Sequence, residues 1–437
     1  MRRALRMAAM TAGVTGSYVG YIAQRAFLGK ESRDRKLRAT HTKAARRVTN
    51  ELSVLRGPAM KLGQALSLQT GVIPDEIIQE LSTLQMQAPG MHPSLVRAQF
   101  KTSMGAAPEE VFRSFEPEPF AAASLGQVHR ATTTTGDAVA VKIQYPGMRR
   151  AIESDFQFFR TVASTTQLSR YIPESMVAEL EQQILAETDY RREADNIDFF
   201  REQLRPLPFV TVPDVYRQFS SDRVLTMSHL NGEHLDRFLA RRPSQRLRDT
   251  LGAHLMELFY FQLLGIEAFH ADPHWGNYLF GPNGTVGLVD FGCVKSLPHE
   301  FVENLKTIFL YPGDRNSAEF RELLAKRYSL RGETIKPASL TALVRFTDGF
   351  IRRMYPPEPE KEHIPFDFSE ATFLREFIDE STKMLRAKAA LPEYIFWARA
   401  ESGLFQTLHR LKARVRTSLI VRKYLGRRPG AARVGPR

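Results

Sequence analysis

The sequence predicts an α+β fold arranged in two lobes. Runs in which apolar residues alternate with polar ones lie mainly between residues 116 and 230, whereas the chain beyond Leu235 reads as mostly helical. A chain of 437 residues is longer than one small core requires, so two or three domains or lobes are expected. Hydrophobic residues make up 43% of the chain and charged residues 25%, as in ordinary globular proteins, so a packed core is available.

Positive charge is concentrated at the two ends of the chain. Residues 1–47 carry twelve Lys and Arg against two acidic residues, and residues 410–437 carry ten Lys and Arg and no acidic residue. The rest is acidic, although the whole chain has a net charge of +13. Such ends suit an anionic membrane surface or a nucleic acid. We expect a membrane and no nucleic acid, because no basic face interleaved with aromatic residues occurs elsewhere.

The basic N-terminal segment contains an uncharged stretch, residues 7–24. This stretch is just long enough to span a bilayer, and Gly16 and Gly20 would let a second helix approach closely. An amphipathic surface helix or a transit peptide fits the same composition. We therefore treat residues 1–47 as a membrane-associating segment and residues 410–437 as a basic C-terminal tail.

Helices are expected from residue 48 to residue 115, ahead of the strands. Leucines recur at helical spacing around the sequence KLGQ, which begins at Lys61 and ends at Gln64. A second helix begins near Pro74, and a third is predicted from Pro108 to Phe115. These helices form an added module.

A hairpin is predicted from two strands, residues 127–132 and 138–144, joined by a polar turn. In the second strand, apolar side chains at alternate positions face one way and Lys142 faces the other. Lys142 is either a solvated strand lysine or, if acidic motifs follow downstream, a lysine that orients phosphates.

An alanine-rich loop is expected immediately before this hairpin. It contains Ala121, Ala122, Ala123 and Ser124, and it ends near Gly126. The β-carbons of alanine disfavour positive φ angles and place methyl groups where a glycine-rich loop would admit a phosphate. The loop is therefore expected to cover a nucleotide differently or poorly.

Two long helices follow, from Met148 to Ser169 and from Pro173 to about Phe200. In the second helix, Asp189 and Glu193 are four residues apart on one face, and Glu187 lies on its flank. The three acids either meet cations or a metal, or form a solvated face that neighbouring arginines balance.

Strand-like runs between residues 209 and 227 end at Met227, where a hinge between the lobes is expected. We assign Met227 to the nucleotide site on this basis. The predicted boundaries are 48–115 for the helical extension, 116–230 for the N-lobe and 231–409 for the C-lobe.

The chemistry concentrates in residues 269–292, FHADPHWGNYLFGPNGTVGLVDFG. The Asn-Gly pair in the middle predicts a tight turn between two short strands. A hairpin brings its ends together, so Asp272, Asn277 and Asp290 are expected to converge. Oxygen ligands suit Mg²⁺, which phosphate oxygens can bridge.

The spacing of these residues is more specific than their chemistry. An Asp, four residues and an Asn, followed by Asp-Phe-Gly at Asp290, reproduce the order of the protein-kinase catalytic loop and metal-binding motif. Lys142 supplies the upstream lysine that this arrangement requires. The chain has one cysteine, Cys293, which excludes intramolecular disulfides and fits a reducing compartment.

Taken in order, these motifs resemble the UbiB/ADCK (aarF-domain) family of atypical kinase-like proteins. The KxGQ sequence, the alanine-rich segment, Val-Ala-Val-Lys, the acidic helix, His-Ala-Asp-Pro-His and Asp-Phe-Gly all carry the likeness, which is strong over residues 48–300. Trp275 stands where many bacterial members have proline, although other members have tryptophan. The long hydrophobic C-terminal segments of some bacterial members are not seen here.

The resemblance implies a bilobal protein-kinase-like fold with a helical N-terminal extension over the active site. It implies that Glu193 pairs with Lys142, and that Glu187 and Asp189 meet Lys61 and Gln64. It further implies ATP and Mg²⁺ as cofactors, association with a membrane, and a role in ubiquinone biosynthesis.

The leading hypothesis is an atypical kinase or ATPase that uses Mg-ATP at a membrane and supports ubiquinone biosynthesis or lipid homeostasis. The expected membrane is a bacterial inner membrane, on its cytoplasmic face, or a mitochondrial inner membrane, on its matrix side. Asn277 and Asp290 would hold the metal, Lys142 would orient the phosphates with Glu193 beside it, and Asp272 would position or deprotonate the acceptor. Expected partners are the nucleotide, an anionic lipid surface or quinone precursor, and other quinone-biosynthesis proteins.

Two alternatives remain open. One is a pseudokinase-like lipid-binding chaperone in which the nucleotide is only a conformational ligand, as the alanine-rich segment suggests. The other is a conventional protein kinase, which the sequence after Gly292 disfavours because no Ala-Pro-Glu motif follows.

Overall fold

The structure is a computed structural model. It describes residues 90–426 except 124, 166–173, 272–274, 329–336, 357, 359–360 and 387–391, together with scattered residues between 13 and 46. The chain divides into two compact units. Unit 1 comprises Met1–Arg192 and Tyr216–Ser228, and unit 2 comprises Glu193–Val215 and His229–Arg437. The segment 193–215, predicted to lie in the N-lobe, thus belongs to unit 2.

The described residues form short strands and mostly longer helices. The strands are β1 Ser114–Phe115, β2 Ala121–Ala123, β3 Gly126–Thr132, β4 Ala138–Gln144, β5 Val210–Thr211, β6 Val224–Ser228, β7 Ala268–His270, β8 Tyr278–Phe280, β9 Val286–Leu288, β10 Val294–Ser296, β11 Phe366–Asp367 and β12 Arg414–Val415. The helices are α1 Pro93–Met104, α2 Pro108–Val111, α3 Met148–Thr165, α4 Glu174–Ala186, α5 Tyr190–Gln203, α6 Leu235–Ala240, α7 Gln245–Tyr260, α8 His299–Phe309, α9 Ala318–Tyr328, α10 Pro337–Met354, α11 Ala371–Arg386, α12 Pro392–Leu411 and α13 Thr417–Leu425.

The sheet of unit 1 is antiparallel, with strand order β1-β3-β4-β6 and with β2 also paired to β3. Strands β3 and β4 pair from Gly126 opposite Gln144 to Thr132 opposite Ala138, which confirms the predicted hairpin. Val139, Val141 and Ile143 are buried in one cluster with apolar residues of α1. Alternation along β4 therefore places one row of side chains in the core.

The helix predicted from Pro108 to Phe115 is wrong beyond its first turn. Helix α2 ends at Val111, and Phe112 adopts the extended conformation. Phe115 then pairs with β3, opposite Ala131. The rings of Phe112 and Phe115 lie 5.8 Å and 6.3 Å from that of Phe100. The packing of these aromatic side chains against α1 and the sheet overrides the local helical pattern.

The continuous helix predicted from Pro173 to Phe200 is also wrong, because it is broken between α4 and α5. Asp189 directly precedes α5, and its carboxylate accepts a hydrogen bond from the Arg191 N–H at 3.0 Å. The Thr188 carbonyl accepts from the Gln144 side chain at 2.8 Å. Polar side chains that bind nearby backbone groups favour helix ends over helix interiors. Asp189 therefore does not share a helix face with Glu193.

Unit 2 is mainly helical and contains small sheets. Strands β5, β9 and β8 form one sheet, and the pairs β7–β10 and β11–β12 form two more. Within the segment predicted as a basic tail, 410–437, the structure places strand β12 and helix α13 as far as residue 425. From Leu411 to Thr417, buried residues alternate with exposed ones. This period-2 burial builds the segment into the unit.

A membrane-spanning helix is not found in the part of the chain that the structure describes, since no helix there is both long and apolar enough.

Candidate functional site

Strands β8 and β9 form the hairpin predicted from the Asn-Gly pair. Tyr278 lies opposite Leu288, and five residues connect the strands. Only Gly284 takes a positive φ, +81°, so the turn uses the glycine and not both residues of the pair. A side chain with a β-carbon is strained at this φ, which accounts for the glycine.

The open end of this hairpin carries two of the predicted metal ligands. The Asn277 carbonyl accepts a hydrogen bond from the Val289 N–H at 3.2 Å, and Asp290 is the next residue. Asn277 ends a short 3₁₀ turn, Trp275–Asn277. The structure thus brings Asn277 and Asp290 to one end of the hairpin. Asp272, the third predicted residue, lies outside the described residues.

Asp290 forms hydrogen bonds through both its carboxylate and its backbone carbonyl. Its carboxylate accepts from the Gly292 N–H at 2.9 Å, and its carbonyl accepts from the Nε2–H of His270. The His270 backbone N–H in turn donates to the side chain of Gln262 at 3.0 Å. The Gly292 bond restrains the Asp290 side chain, and the His270 bond holds the Asp290 backbone.

Gln262 was not predicted to take part, and His270 was named only within the His-Ala-Asp-Pro-His motif, without a role. Gln262 lies in a π-helical turn, Phe261–Gly265, which continues from α7. Such turns are rare and recur at functional sites. A glutamine inside an apolar run is the only sequence signal, and it does not reveal which group the side chain meets.

Helix α5 fixes the residue after Asp290. The Asn196 side chain donates to the Phe291 carbonyl at 2.9 Å, and the Phe291 N–H donates to the Glu193 carboxylate at 3.4 Å. Glu193 is 2% exposed. A buried carboxylate needs donors around it. The structure thus adds a contact that the sequence did not predict, while the pairing of Glu193 with Lys142 stays a prediction.

Lys142 belongs to unit 1 and is 5% exposed, which rules out the solvated strand lysine. It lies on β4 opposite Val128 of β3 and Leu225 of β6. Its ammonium group is 5.1 Å from the centre of the Tyr190 ring. A cation over an aromatic face is stabilised by the ring quadrupole, and more strongly when it is desolvated.

The predicted alanine-rich loop is in part a strand. Ala121, Ala122 and Ala123 form β2 and pair with Val128, Gln127 and Gly126 of β3. Extended backbone has a negative φ, so alanine adopts it without strain. Gly126 is required at its position, because a β-carbon there would lie 2.3 Å from the Ile143 carbonyl oxygen. Ser124 lies outside the described residues.

The other predicted site residues fall into three groups. Glu187 and Met227 are buried in unit 1, and Met227 lies on β6 opposite Ala140. Asp189 is exposed at the start of α5. Lys61 and Gln64 lie outside the described residues. The roles of all these residues stay predictions.

A hard cation fits the donors at the hairpin end. Asn277 supplies an amide oxygen and Asp290 a carboxylate, the ligand types that Mg²⁺ uses when one or two protein groups and phosphates complete its shell. Within the described ranges, no group of three or more His, Cys, Asp and Glu is suited to hold a metal. Two oxygen donors of this kind fit a cation whose shell the phosphate oxygens of a ligand help to complete.

An antiparallel sheet that carries a buried lysine, together with a helical unit that carries an Asp-Phe-Gly hairpin, defines a protein-kinase-like α+β protein. The family model of the ABC1 atypical kinase-like domain matches residues 83–324. The chain belongs to this ABC1 (UbiB/COQ8) family, which implies a nucleotide and a metal ion as ligands.

Relatives of known name support the same assignment. The chain is 29% identical over 314 residues to the atypical kinase COQ8, mitochondrial, of Saccharomyces cerevisiae. The matched region is 70% of this chain and 62% of that protein. It is 32% identical over 284 residues to the atypical kinase coq-8, mitochondrial, of Caenorhabditis elegans. That matched region is 62% of this chain and 37% of that protein. A third, ACTIVITY OF BC1 COMPLEX KINASE 7 of Arabidopsis thaliana, is chloroplastic. The chain spans less than two thirds of the length of these relatives.

A solved structure covers nearly all of the chain. The complex of Rv3197 with erythromycin from Mycobacterium tuberculosis matches 92% of this chain and all of that one, with a TM-score of 0.62 and 27% sequence identity. The kinase-like fold predicted from the sequence is thereby confirmed.

Proposed function

We propose that this protein is an atypical kinase or ATPase that uses Mg-ATP and supports the biosynthesis of ubiquinone or a related isoprenoid quinone. The observation that carries the proposal is the meeting of Asn277 and Asp290 at one end of the β8–β9 hairpin, with Asp290 fixed by His270. Membership of the ABC1 family supports it. The quinone role draws on the likeness to the COQ8 proteins.

Each residue of the proposal has one task. Asn277 and Asp290 would hold Mg²⁺, which neutralises phosphate charge. Lys142 would orient the phosphates and Glu193 would steady it, while Asp272 would position or deprotonate the acceptor. Four further groups would complete the nucleotide site: Ala121 to Ser124 with Gly126, Met227, Lys61 with Gln64, and Glu187 with Asp189.

Replacing the metal-binding carboxylate tests this proposal. We expect Asp290→Asn to abolish Mg²⁺-dependent ATP hydrolysis while circular dichroism and the unfolding temperature stay close to those of the wild type. Asp222→Asn is a matched control, because the Asp222 carboxylate is half-exposed and pairs with its neighbour Arg223. Unchanged hydrolysis in Asp290→Asn would contradict the assignment.

A membrane location is the second part of the proposal. The support is a set of exposed cations at the start of α7 and beside β12, here named the basic face. Its members are Arg242, Arg246, Lys412 and Arg416. All four side chains are exposed, and none forms an ion pair with another described residue. Gln245 donates to the Lys412 carbonyl at 2.8 Å, which links the start of α7 to the segment before α13. Cations near an anionic bilayer contribute about 1 kcal/mol each.

We expect the protein to sediment with vesicles that contain phosphatidylglycerol, and less with phosphatidylcholine vesicles alone. Replacing the four cations of the basic face by Gln should lower the vesicle partition coefficient, measured by sedimentation at low salt. The expected decrease is two orders of magnitude or more, in line with about 1 kcal/mol per cation. Equal sedimentation of the two proteins would remove this face from the proposal. The membrane would be a bacterial inner membrane, on its cytoplasmic face, or a mitochondrial inner membrane, on its matrix side.

The lipid-binding chaperone is the second candidate, and strand β2 favours it. Three alanines paired in a strand place methyl groups in the segment where kinases have glycines. If the protein is a chaperone that hydrolyses no nucleotide, we expect Asp290→Asn and the wild type to bind lipid equally. Neither protein should then hydrolyse ATP. Hydrolysis by the wild type excludes it.

A further inference from the structure

Trp275 begins the 3₁₀ turn that ends at Asn277. Its indole ring is covered by the guanidinium of Arg410, whose carbon lies 4.7 Å from the ring centre. Arg410 is in the last turn of α12, far from the turn in sequence. A guanidinium stacks on an indole face through cation–π attraction and through its planar shape. The end of α12 therefore contacts the turn that precedes the hairpin.

Arg410 also forms an ion pair with Asp236 of α6. Helix α6 is itself attached to the hairpin, because the Phe238 ring packs 5.6 Å from that of Phe280 on β8. Asp236, Arg410 and Trp275 thus form a chain of contacts, here named the brace, between two helices and the turn. The Arg410 side chain is 32% exposed, so solvent screens its interactions less than at a fully exposed site.

The turn that Trp275 begins also carries Asn277, one of the two proposed metal ligands. The hydrogen-bond geometry of a 3₁₀ turn is poorer than that of an α-helix, so side-chain contacts help to fix its conformation. Trp275 is two residues before Asn277, so clamping the indole restricts the turn from which the Asn277 side chain projects. Loss of the clamp leaves the other proposed ligand, Asp290, in place, because its bonds are to Gly292 and His270.

We propose that Arg410 is a positioning residue for the metal site: by clamping Trp275, it keeps Asn277 in the direction that binds Mg²⁺. The inference rests on the proposed Mg²⁺ role of Asn277. It makes metal affinity, and not only stability, depend on the C-terminal end of α12.

The chain carries its own reporter for this proposal. It has two tryptophans, Trp275 and the buried Trp397, so Trp397→Phe leaves Trp275 as the single emitter. In this background, Mg²⁺ is titrated in the presence of a non-hydrolysable ATP analogue while the Trp275 emission is recorded. We expect a saturable change, because the indole neighbours the metal-binding turn.

In the same background, Arg410→Ala is expected to raise the Mg²⁺ concentration at half-saturation about fivefold, the loss of one partly buried cation–π contact. Arg410→Lys should recover part of the loss, since an ammonium keeps the charge but not the planar stack. Asp236→Asn should give a smaller shift in the same direction and, being a change at an exposed position, tests the idea if Arg410→Ala folds poorly. Arg414→Ala is the control, because Arg414 pairs with Asp249 and not with the brace.

Two results would overturn the proposal, and they differ. An unchanged Mg²⁺ midpoint in Arg410→Ala and Asp236→Asn, even with a lower unfolding temperature, reduces the brace to ordinary packing and leaves the proposed function standing. No response of the Trp397→Phe protein, with Arg410 and Asp236 intact, to Mg²⁺ and the ATP analogue overturns the proposed function together with the brace.

Discussion

Glu193 and Glu401 are two buried carboxylic acids of unit 2, and each is 2% exposed. The Glu193 carboxylate accepts a hydrogen bond from a backbone group, the Phe291 N–H, beside the proposed metal ligand Asp290. Glu401 meets side chains: it accepts from the Tyr260 hydroxyl at 2.5 Å, and Tyr260 contacts the hydroxyl of Tyr355. Equal burial therefore has two different uses, one beside the candidate site and one inside the helical core.

The difference shows that burial alone does not mark a functional residue. Burial raises the pKa of Glu401 from its ordinary 4.5 to about 8, and the hydrogen bond from Tyr260 only partly offsets it. Burial also raises the pKa of Tyr260 and of Tyr355 well above their usual value. Glu401, Tyr260 and Tyr355, here named the core cluster, are therefore neutral at pH 7. Their hydrogen bonds form a network that stabilises the fold.

The largest effect is expected from Glu401 in the core. Between pH 4.5 and about 8, the folded protein keeps a proton that the unfolded chain releases, so the free energy of unfolding falls as pH rises through this window. The loss amounts to a few kcal/mol. Glu401→Gln removes the titrating group and should flatten the decline, as measured by denaturant unfolding at several pH values. Identical pH profiles for variant and wild type would contradict the raised pKa.

The next largest effect is expected at Glu193, beside the candidate site. Glu193→Gln keeps the size of the side chain but removes the charge beside Phe291, and Mg-ATP turnover should fall about 10- to 100-fold, as for losses of second-layer support at metal sites. Steady-state ATP hydrolysis measures it, and Glu401→Gln serves as the control that leaves turnover near the wild-type value. Equal losses of turnover in Glu193→Gln and Glu401→Gln would contradict the conclusion that only Glu193 supports the candidate site.

The smallest effect is expected at the edge of the core cluster. Tyr355→Phe removes one hydroxyl from the contact with Tyr260, and the free energy of unfolding should fall by about 1 kcal/mol. ATP hydrolysis should not change. Thermal unfolding together with a turnover assay checks both statements, and a fall in turnover would show that the core cluster communicates with the site.

Local patterns predicted the hairpins well. The β3–β4 pair follows from alternating side chains on both sides of a polar turn, and the β8–β9 pair follows from an Asn-Gly turn between apolar strands. Both depend on neighbours within about twenty residues. The helix break before Tyr190 was missed because the Thr188 carbonyl bonds to Gln144 on β4, a partner 44 residues away.

The site shows the same division. Asn277 and Asp290 could be predicted as site residues because they flank one short hairpin, and their spacing can be read directly from the sequence. Asn196, Gln262 and Arg410 were not, since each acts through a group that is distant in sequence or through a backbone atom. A backbone carbonyl has no residue identity, so no sequence motif records its partner.

The sequence by itself determined the kinase-like class, the strand that carries Lys142, and the order of the acidic and amide groups along the chain, because these depend on periodicity and spacing. Only the tertiary structure decided that α5 holds Phe291 by its backbone, that a π-helical turn supports His270, and that the end of α12 covers Trp275. Those contacts join segments from different parts of the chain, and packing selects them only after the elements have formed.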